Sequence, residues 1–165
     1  MKKLPVCKAC ISGSLCFACQ KKFDEGYITQ FDMDLANDLL ELEEEYPSLS
    51  TASFYNAVDV GEIVFLVIGK GDKPKFTTKL LEYIKNLYSI PEIALIEKGS
   101  PKELLGQLIS PAKMLGINQI YIPTGDTEYR VVISKEDKDK LKIPLNLLED
   151  AAAIIIRGIT KLSFK

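Results

Sequence analysis

The chain has 165 residues with 21 lysines and arginines against 23 aspartates and glutamates, and no histidine. An isoelectric point of about 5.3 argues against a broad, sequence-blind nucleic-acid binder, which would be strongly basic, and the missing histidine removes the commonest general acid–base group. Hydrophobic content of 47% suffices for one domain of ordinary size or two small ones. Nothing in the sequence approaches the eighteen or so consecutive apolar residues of a membrane span, and Met1-Lys2-Lys3-Leu4-Pro5 is followed by no apolar signal run, so a cytoplasmic location is expected.

All four cysteines fall within the first twenty residues, as Cys7-x2-Cys10-x5-Cys16-x2-Cys19. Two such pairs bring four thiolates to one point, and sulfurs about 2.3 Å from a Zn2+ ion close a tetrahedron with no position open to substrate. A structural Zn2+ is therefore the expected cofactor, in a knuckle spanning residues 1–28. Two disulfides, or an iron–sulfur centre on the same thiolates, are the alternatives. The loop Ile11-Ser12-Gly13-Ser14-Leu15 is too short to build a core, so metal binding would supply most of the folding free energy of the segment, on the order of 10 kcal/mol.

Beyond the cysteines, Phe23, Tyr27, Ile28 and Phe31 are placed to pack the knuckle against the chain downstream of it. Asp32 is the expected N-cap of a helix carrying Leu35, Leu39, Leu42 and Tyr46 on one face, which Pro47 ends. Residues 53–60 and 62–68 read as strands about a turn at Gly61. Gly69-Lys70-Gly71-Asp72-Lys73-Pro74-Lys75 comes next, with Pro74 suited to the first turn of a helix that bears Leu80, Leu81, Ile84 and Leu87 and that Asp72 or a neighbour caps. A strand over 93–96 closes this unit, residues 29–99.

The same order returns in residues 100–165. Ser100-Pro101-Lys102-Glu103 is a capping box with proline at the first helical position, opening a helix with Leu104, Leu105, Leu108 and Ile109 that Pro111 kinks or ends. Two strands come next, over 117–123 and 129–133, around Thr124-Gly125-Asp126. A charged stretch over 134–142 precedes an apolar helix with Leu147, Leu148, Ala151, Ala152 and Ile155, stopped by Gly158, and a strand over 160–164 ends the unit. The two halves share the order of elements far more than residue identity, which predicts an internal structural repeat.

This layout, with a glycine-containing loop opening the second major helix, resembles type II KH units, in which a GxxG loop holds the backbone of single-stranded nucleic acid. Glycine permits close approach of peptide N–H groups to phosphate at a helix N-terminus. Two adjacent units joined through Ser100-Pro101-Lys102-Glu103-Leu104-Leu105 and Ser110-Pro111-Ala112-Lys113-Met114-Leu115 resemble the archaeal NusA-like proteins over roughly residues 32–165, and a cysteine-rich N-terminus resembles the zinc-finger subset of that family. The resemblance implies an α+β fold, a zinc knuckle followed by two tandem KH-like units, and single-stranded RNA binding in transcription elongation or termination. Its RNA-contacting residues would be Gly69, Lys70, Gly71, Lys73 and Lys75.

Two departures stand out. The family's Gly-Lys-Gly-Gly maps onto Gly69-Lys70-Gly71-Asp72, and a carboxylate at that position repels phosphate and competes for the same donors; a later register, Lys73-Pro74-Lys75-Phe76, leaves no glycine at all. In the second unit the loop falls within 138–145, which holds Pro144 and no glycine. A second reading is accordingly a protein-interaction module of the same fold, docked on RNA polymerase or a ribosome through the acidic Glu41, Glu43, Glu44 and Glu45. Neither a Walker motif nor a GxGxxG string is present, so no catalysis is expected. Asp32 and Asp34 read as helix-capping residues in preference to metal ligands, and a monomer is expected because the repeat can bury its own core.

Overall fold

The computed structural model describes residues 1–11 and 13–165; Ser12, in the loop between the two cysteine pairs, lies outside them. Two compact units are present, Met1–Ala57 with Ile63–Glu97, and Val58–Glu62 with Lys98–Lys165. Each contains one three-stranded sheet, so the fold is mixed α+β, preceded by a four-cysteine segment that belongs to the first unit.

In the first unit, α1 (Lys8–Ile11) and α2 (Phe17–Asp24) carry the cysteines, and α3 (Gln30–Leu42) leads to β1 (Phe54–Asp59), β2 (Ile63–Ile68), α4 (Thr78–Tyr88) and β3 (Glu92–Glu97). The sheet order is β1-β2-β3. β2 and β3 run parallel in a register from Ile63 opposite Glu92 to Ile68 opposite Glu97, the pairing that a helical crossover such as α4 permits. Gly61 makes the turn before β2 at φ +95°, backbone that side chains disfavour. β2 is buried at every position, which explains why its sequence, Ile-Val-Phe-Leu-Val-Ile, shows no polar alternation. Leu35 and Leu39 of α3, Leu80 and Ile84 of α4, and Phe54, Val64, Leu66 and Ile68 of the strands form one apolar cluster. The chain start adds a further rail: Lys3 forms a parallel bridge with Ser53, the Lys2 N–H donates to the Ala52 carbonyl at 2.7 Å, and the Phe54 N–H donates to the Lys3 carbonyl at 2.9 Å.

The second unit repeats the order as α5 (Pro101–Ile109), β4 (Met114–Tyr121), β5 (Thr127–Ile133), α6 (Leu145–Ile156) and β6 (Ile159–Phe164). β4 pairs antiparallel with β5, with an irregularity between Met114 and Gly116, and β5 pairs parallel with β6 from Glu128 opposite Ile159 to Ile133 opposite Phe164. α5 and α6 lie against each other. Leu104, Leu105, Leu108 and Ile109 of α5, Leu148, Ala151, Ala152 and Ile155 of α6, and Val131 and Ile133 of β5 are buried.

Several local readings change. Asp32 is not the N-cap of α3. Thr29 holds that position, its hydroxyl accepting the Asp32 N–H at 3.2 Å, while the buried Asp32 carboxylate accepts the N–H groups of Thr29 at 2.8 Å and Ala57 at 2.6 Å. The aspartate thus serves as the third helical residue of a capping box and fastens the helix start to β1. Burial pushes its carboxyl up from the ordinary value, against the pull of those two N–H donors. α3 ends at Leu42, short of Pro47, which instead begins a 3-10 turn over Pro47–Thr51. Pro74 likewise lies in a 3-10 turn, Lys73–Lys75, and α4 is capped by Thr77, whose hydroxyl accepts the Leu80 N–H at 3.2 Å. The capping box at Ser100 and Glu103 is present as expected.

Candidate functional site

The four cysteine sulfurs lie within 4.8 Å of one another. Cys7 Sγ stands 2.8 Å from Cys10 Sγ and 3.9 Å from Cys19 Sγ, and all four thiols are free. A tetrahedron of sulfurs at zinc-bonding distance has edges of about 3.8 Å, so the cluster is of the size that receives one metal ion. Helix starts create it: Cys7 immediately precedes α1 and Cys10 lies within it, while Cys16 is the N-cap of α2 and Cys19 lies in its first turn. Cys10 and Cys19 are buried with Val6 and Ile28, against which Ile11, Leu15 and Met33 pack. Ile11 also packs on the main cluster of the unit, so the knuckle and the sheet share an apolar contact.

The surroundings pull the sulfurs in different directions. The Cys16 N–H donates to Cys10 Sγ at 3.2 Å, and the backbone N–H of Cys19 aimed at the Cys16 sulfur lowers that thiol to about 7. Cys10, by contrast, is pushed up to about 12 by the adjoining Cys7 thiol. Four crowded sulfurs cannot all ionise unaided, because each negative charge raises its neighbours. A cation at their centre relieves that repulsion, and its binding releases protons.

The five residues predicted to contact RNA share one loop but not one role. Gly69 is buried, and a Cβ there would stand 2.2 Å from Asp72 Oδ2. Asp72, also buried, turns inward: Oδ2 accepts the Ser53 N–H at 2.8 Å and Oδ1 pairs with Lys75 Nζ at 2.8 Å. Lys75 Nζ also donates to the Thr51 carbonyl at 3.1 Å. Gly69, Asp72 and Lys75 therefore pin the loop to the start of β1. Gly71 adopts φ +80° in open surroundings, and Lys70 and Lys73 are exposed. The glycines do not open α4 as expected, since the 3-10 turn Lys73–Lys75 and the capping Thr77 intervene. Asp72 is accordingly not an anion seated on the N-terminus of α4.

The second unit contains the same fastener, which sequence reading missed. Asp137, buried in the 3-10 turn Lys135–Lys140, accepts the Lys113 N–H at 2.8 Å just before β4 and pairs with Lys140 Nζ at 2.9 Å. Lys140, then the Lys113 N–H, holds its carboxyl below the ordinary value. The signal was available: Asp72-Lys73-Pro74-Lys75 and Asp137-Lys138-Asp139-Lys140 share the string Asp-Lys-x-Lys at corresponding places between the second strand and second main helix of each unit. Ahead of α6, residues 141–144 carry no glycine, and Pro144 is the N-cap. The acidic residues are partly engaged internally: Glu43 pairs with the amino group of Met1, and Glu41 accepts from the Asn37 amide at 3.4 Å.

No helix of the described residues is long and apolar enough to cross a membrane. No protein-family model matches the sequence, and no curated protein matches it. Among solved structures, the chain is similar to one described as "Crystal structure of APE1850", with a TM-score of 0.56 and 15% sequence identity over 76% of this chain and 96% of that one. At that identity the likeness concerns the fold.

Proposed function

We propose that the chain is a non-enzymatic, NusA-like factor that binds single-stranded RNA during transcription elongation or termination, with a structural Zn2+ on Cys7, Cys10, Cys16 and Cys19. The observation that carries the RNA reading is the turn at Lys70-Gly71, where two exposed lysines, Lys70 and Lys73, flank a glycine with open space around it. Backbone without a side chain admits close approach of a phosphate, and the lysines supply the charge. Because the turn stands apart from the N-terminus of α4, binding would be chiefly electrostatic. For the metal, an all-sulfur donor set in a compact closed cluster favours zinc over harder cations; zinc content and the absence of visible iron–sulfur absorption are the check.

Fluorescence anisotropy of a degenerate single-stranded RNA with zinc-loaded protein at two salt concentrations tests this reading. Binding that weakens with salt, and that falls in Lys70→Glu/Lys73→Glu, is expected. Absence of binding at low salt would sink it and favour the second reading, a docking module on RNA polymerase or a ribosome. That second reading draws support from the N-termini of α4 and α6, which have no glycine, and from the exposed Glu44 and Glu45.

A further inference from the structure

The amino-terminal segment and α2 enclose a cleft of about 400 Å³ beside the cysteine cluster, within the size range of small-ligand sites. Lys2, Lys3, Lys8 and Lys22 line it together with the exposed Cys7 and Cys16, and none of its lining residues is acidic. Four thiolates around a divalent ion leave roughly two negative charges, which the four lysines more than offset. The surplus positive charge faces a concavity with apolar walls, where counter-charge concentrates.

Both walls are held. Hydrogen bonds of Lys2 and Lys3 to Ala52 and Phe54 fix the amino-terminal side, and the Lys3 side-chain nitrogen stands 5.4 Å from the centre of the Tyr55 ring. The thiol cluster fixes the side formed by α2. Phe17, next in sequence to the lining residues Cys16 and Ala18, is 87% exposed, and burying a phenyl ring that water now surrounds is favourable. A basic cleft and an uncovered ring on the same helix, α2, have the chemistry of a single-strand site, in which lysines take phosphates and an aromatic face takes a base.

We infer that this cleft is a second binding site for single-stranded nucleic acid, with Lys2, Lys3, Lys8 and Lys22 receiving backbone phosphates and Phe17 stacking on a base. The inference rests on the RNA-binding reading above and adds a site separate from the Lys70–Lys73 turn. Lys22 and Lys8 contribute to the lining through exposed side chains, so reversing their charge spares the buried sulfurs.

The decisive experiment titrates a fluorescein-labelled degenerate 12-mer RNA with the zinc-loaded full chain, its Lys8→Glu/Lys22→Glu variant, its Lys8→Arg/Lys22→Arg variant and Phe17→Ala. Zinc content of one ion per chain verifies that each variant retains the knuckle. The charge-reversed protein is expected to bind at least tenfold more weakly, with a log–log salt slope flatter by about 1.4 for two lost phosphate contacts. Arginine should restore both, and Phe17→Ala should weaken binding about fivefold or more. Parental affinity in the charge-reversed variant, alongside a loss in Lys70→Glu/Lys73→Glu, would overturn the cleft and leave the RNA reading intact. No binding by the parent chain would overturn both.

Discussion

The loop after β2 and the loop after β5 are fastened alike, yet only the first carries glycine. In each, a buried aspartate in a short 3-10 region or at its edge accepts an N–H from the residue that precedes the first strand of its sheet, and pairs with a lysine three positions on. The first loop adds Gly69 and Gly71 and exposes Lys70; the second has neither glycine. Skeleton and surface have separated: the aspartate keeps the loop closed in both units and both loops expose lysines, but a glycine with open space around it occurs only in the first, which also bears the cysteines and the basic cleft.

The strongest way to break this contrast is to remove the proposed Zn2+. Chelation should unfold α1 and α2, with a loss on the order of the 10 kcal/mol that such sites contribute, and loosen α3 through Ile11, which packs on both apolar clusters of the unit. Amide hydrogen exchange read by unit is the measurement; equal loss of protection in β4, β5 and β6 would contradict the assignment of the knuckle to the first unit. Next in size is Asp72→Ala, which orphans the buried Ser53 N–H and should cost about 1–3 kcal/mol in denaturant unfolding.

The matching Asp137→Ala gives the comparison a pH axis. The carboxyl of Asp137 is held below its ordinary value in the fold, so the native state binds its proton less readily than the unfolded one. Its stabilising contribution is therefore present above the ordinary carboxylate pKa and lost as pH falls through the native value. The stability gap between parent and Asp137→Ala should close on acidification toward pH 3, and a gap that widens there would contradict the lysine pairing. The smallest effect belongs to the second unit alone: Ser100→Ala removes the acceptor of the Glu103 N–H and should cost about 1 kcal/mol, read as a modest fall in the unfolding midpoint.

Where residues speak through spacing, the sequence was legible. The four cysteines, the capping box at Ser100 and Glu103 and the doubled element order all appear as expected, because each depends on local periodicity or on a fixed offset. What stayed hidden depends on partners far along the chain. Charge at Asp32 and Asp72 suggested surface or helix-end positions, but their carboxylates face backbone N–H groups 25 and 19 residues away. Nothing in Lys2-Lys3-Leu4 signals that it will lie against Ser53. β4 starts at Met114, three residues before the expected strand, because a pairing partner in β5 extends it. The basic cleft depends on the amino-terminal rail, whose backbone bonds to residues 52–54 no local pattern announces.

The contact between Gly69 and Asp72 makes their mutational effects conditional on each other. In the parent chain, Gly69→Ala would drive a methyl group into Asp72 Oδ2 and displace the carboxylate from the Ser53 N–H; in an Asp72→Ala background the same methyl would meet no carboxylate. The two positions are thus epistatic, a non-additivity that a double-mutant cycle measures directly. In this chain they act as one unit, in which the glycine makes room for an internal carboxylate whether or not the loop ever meets a phosphate.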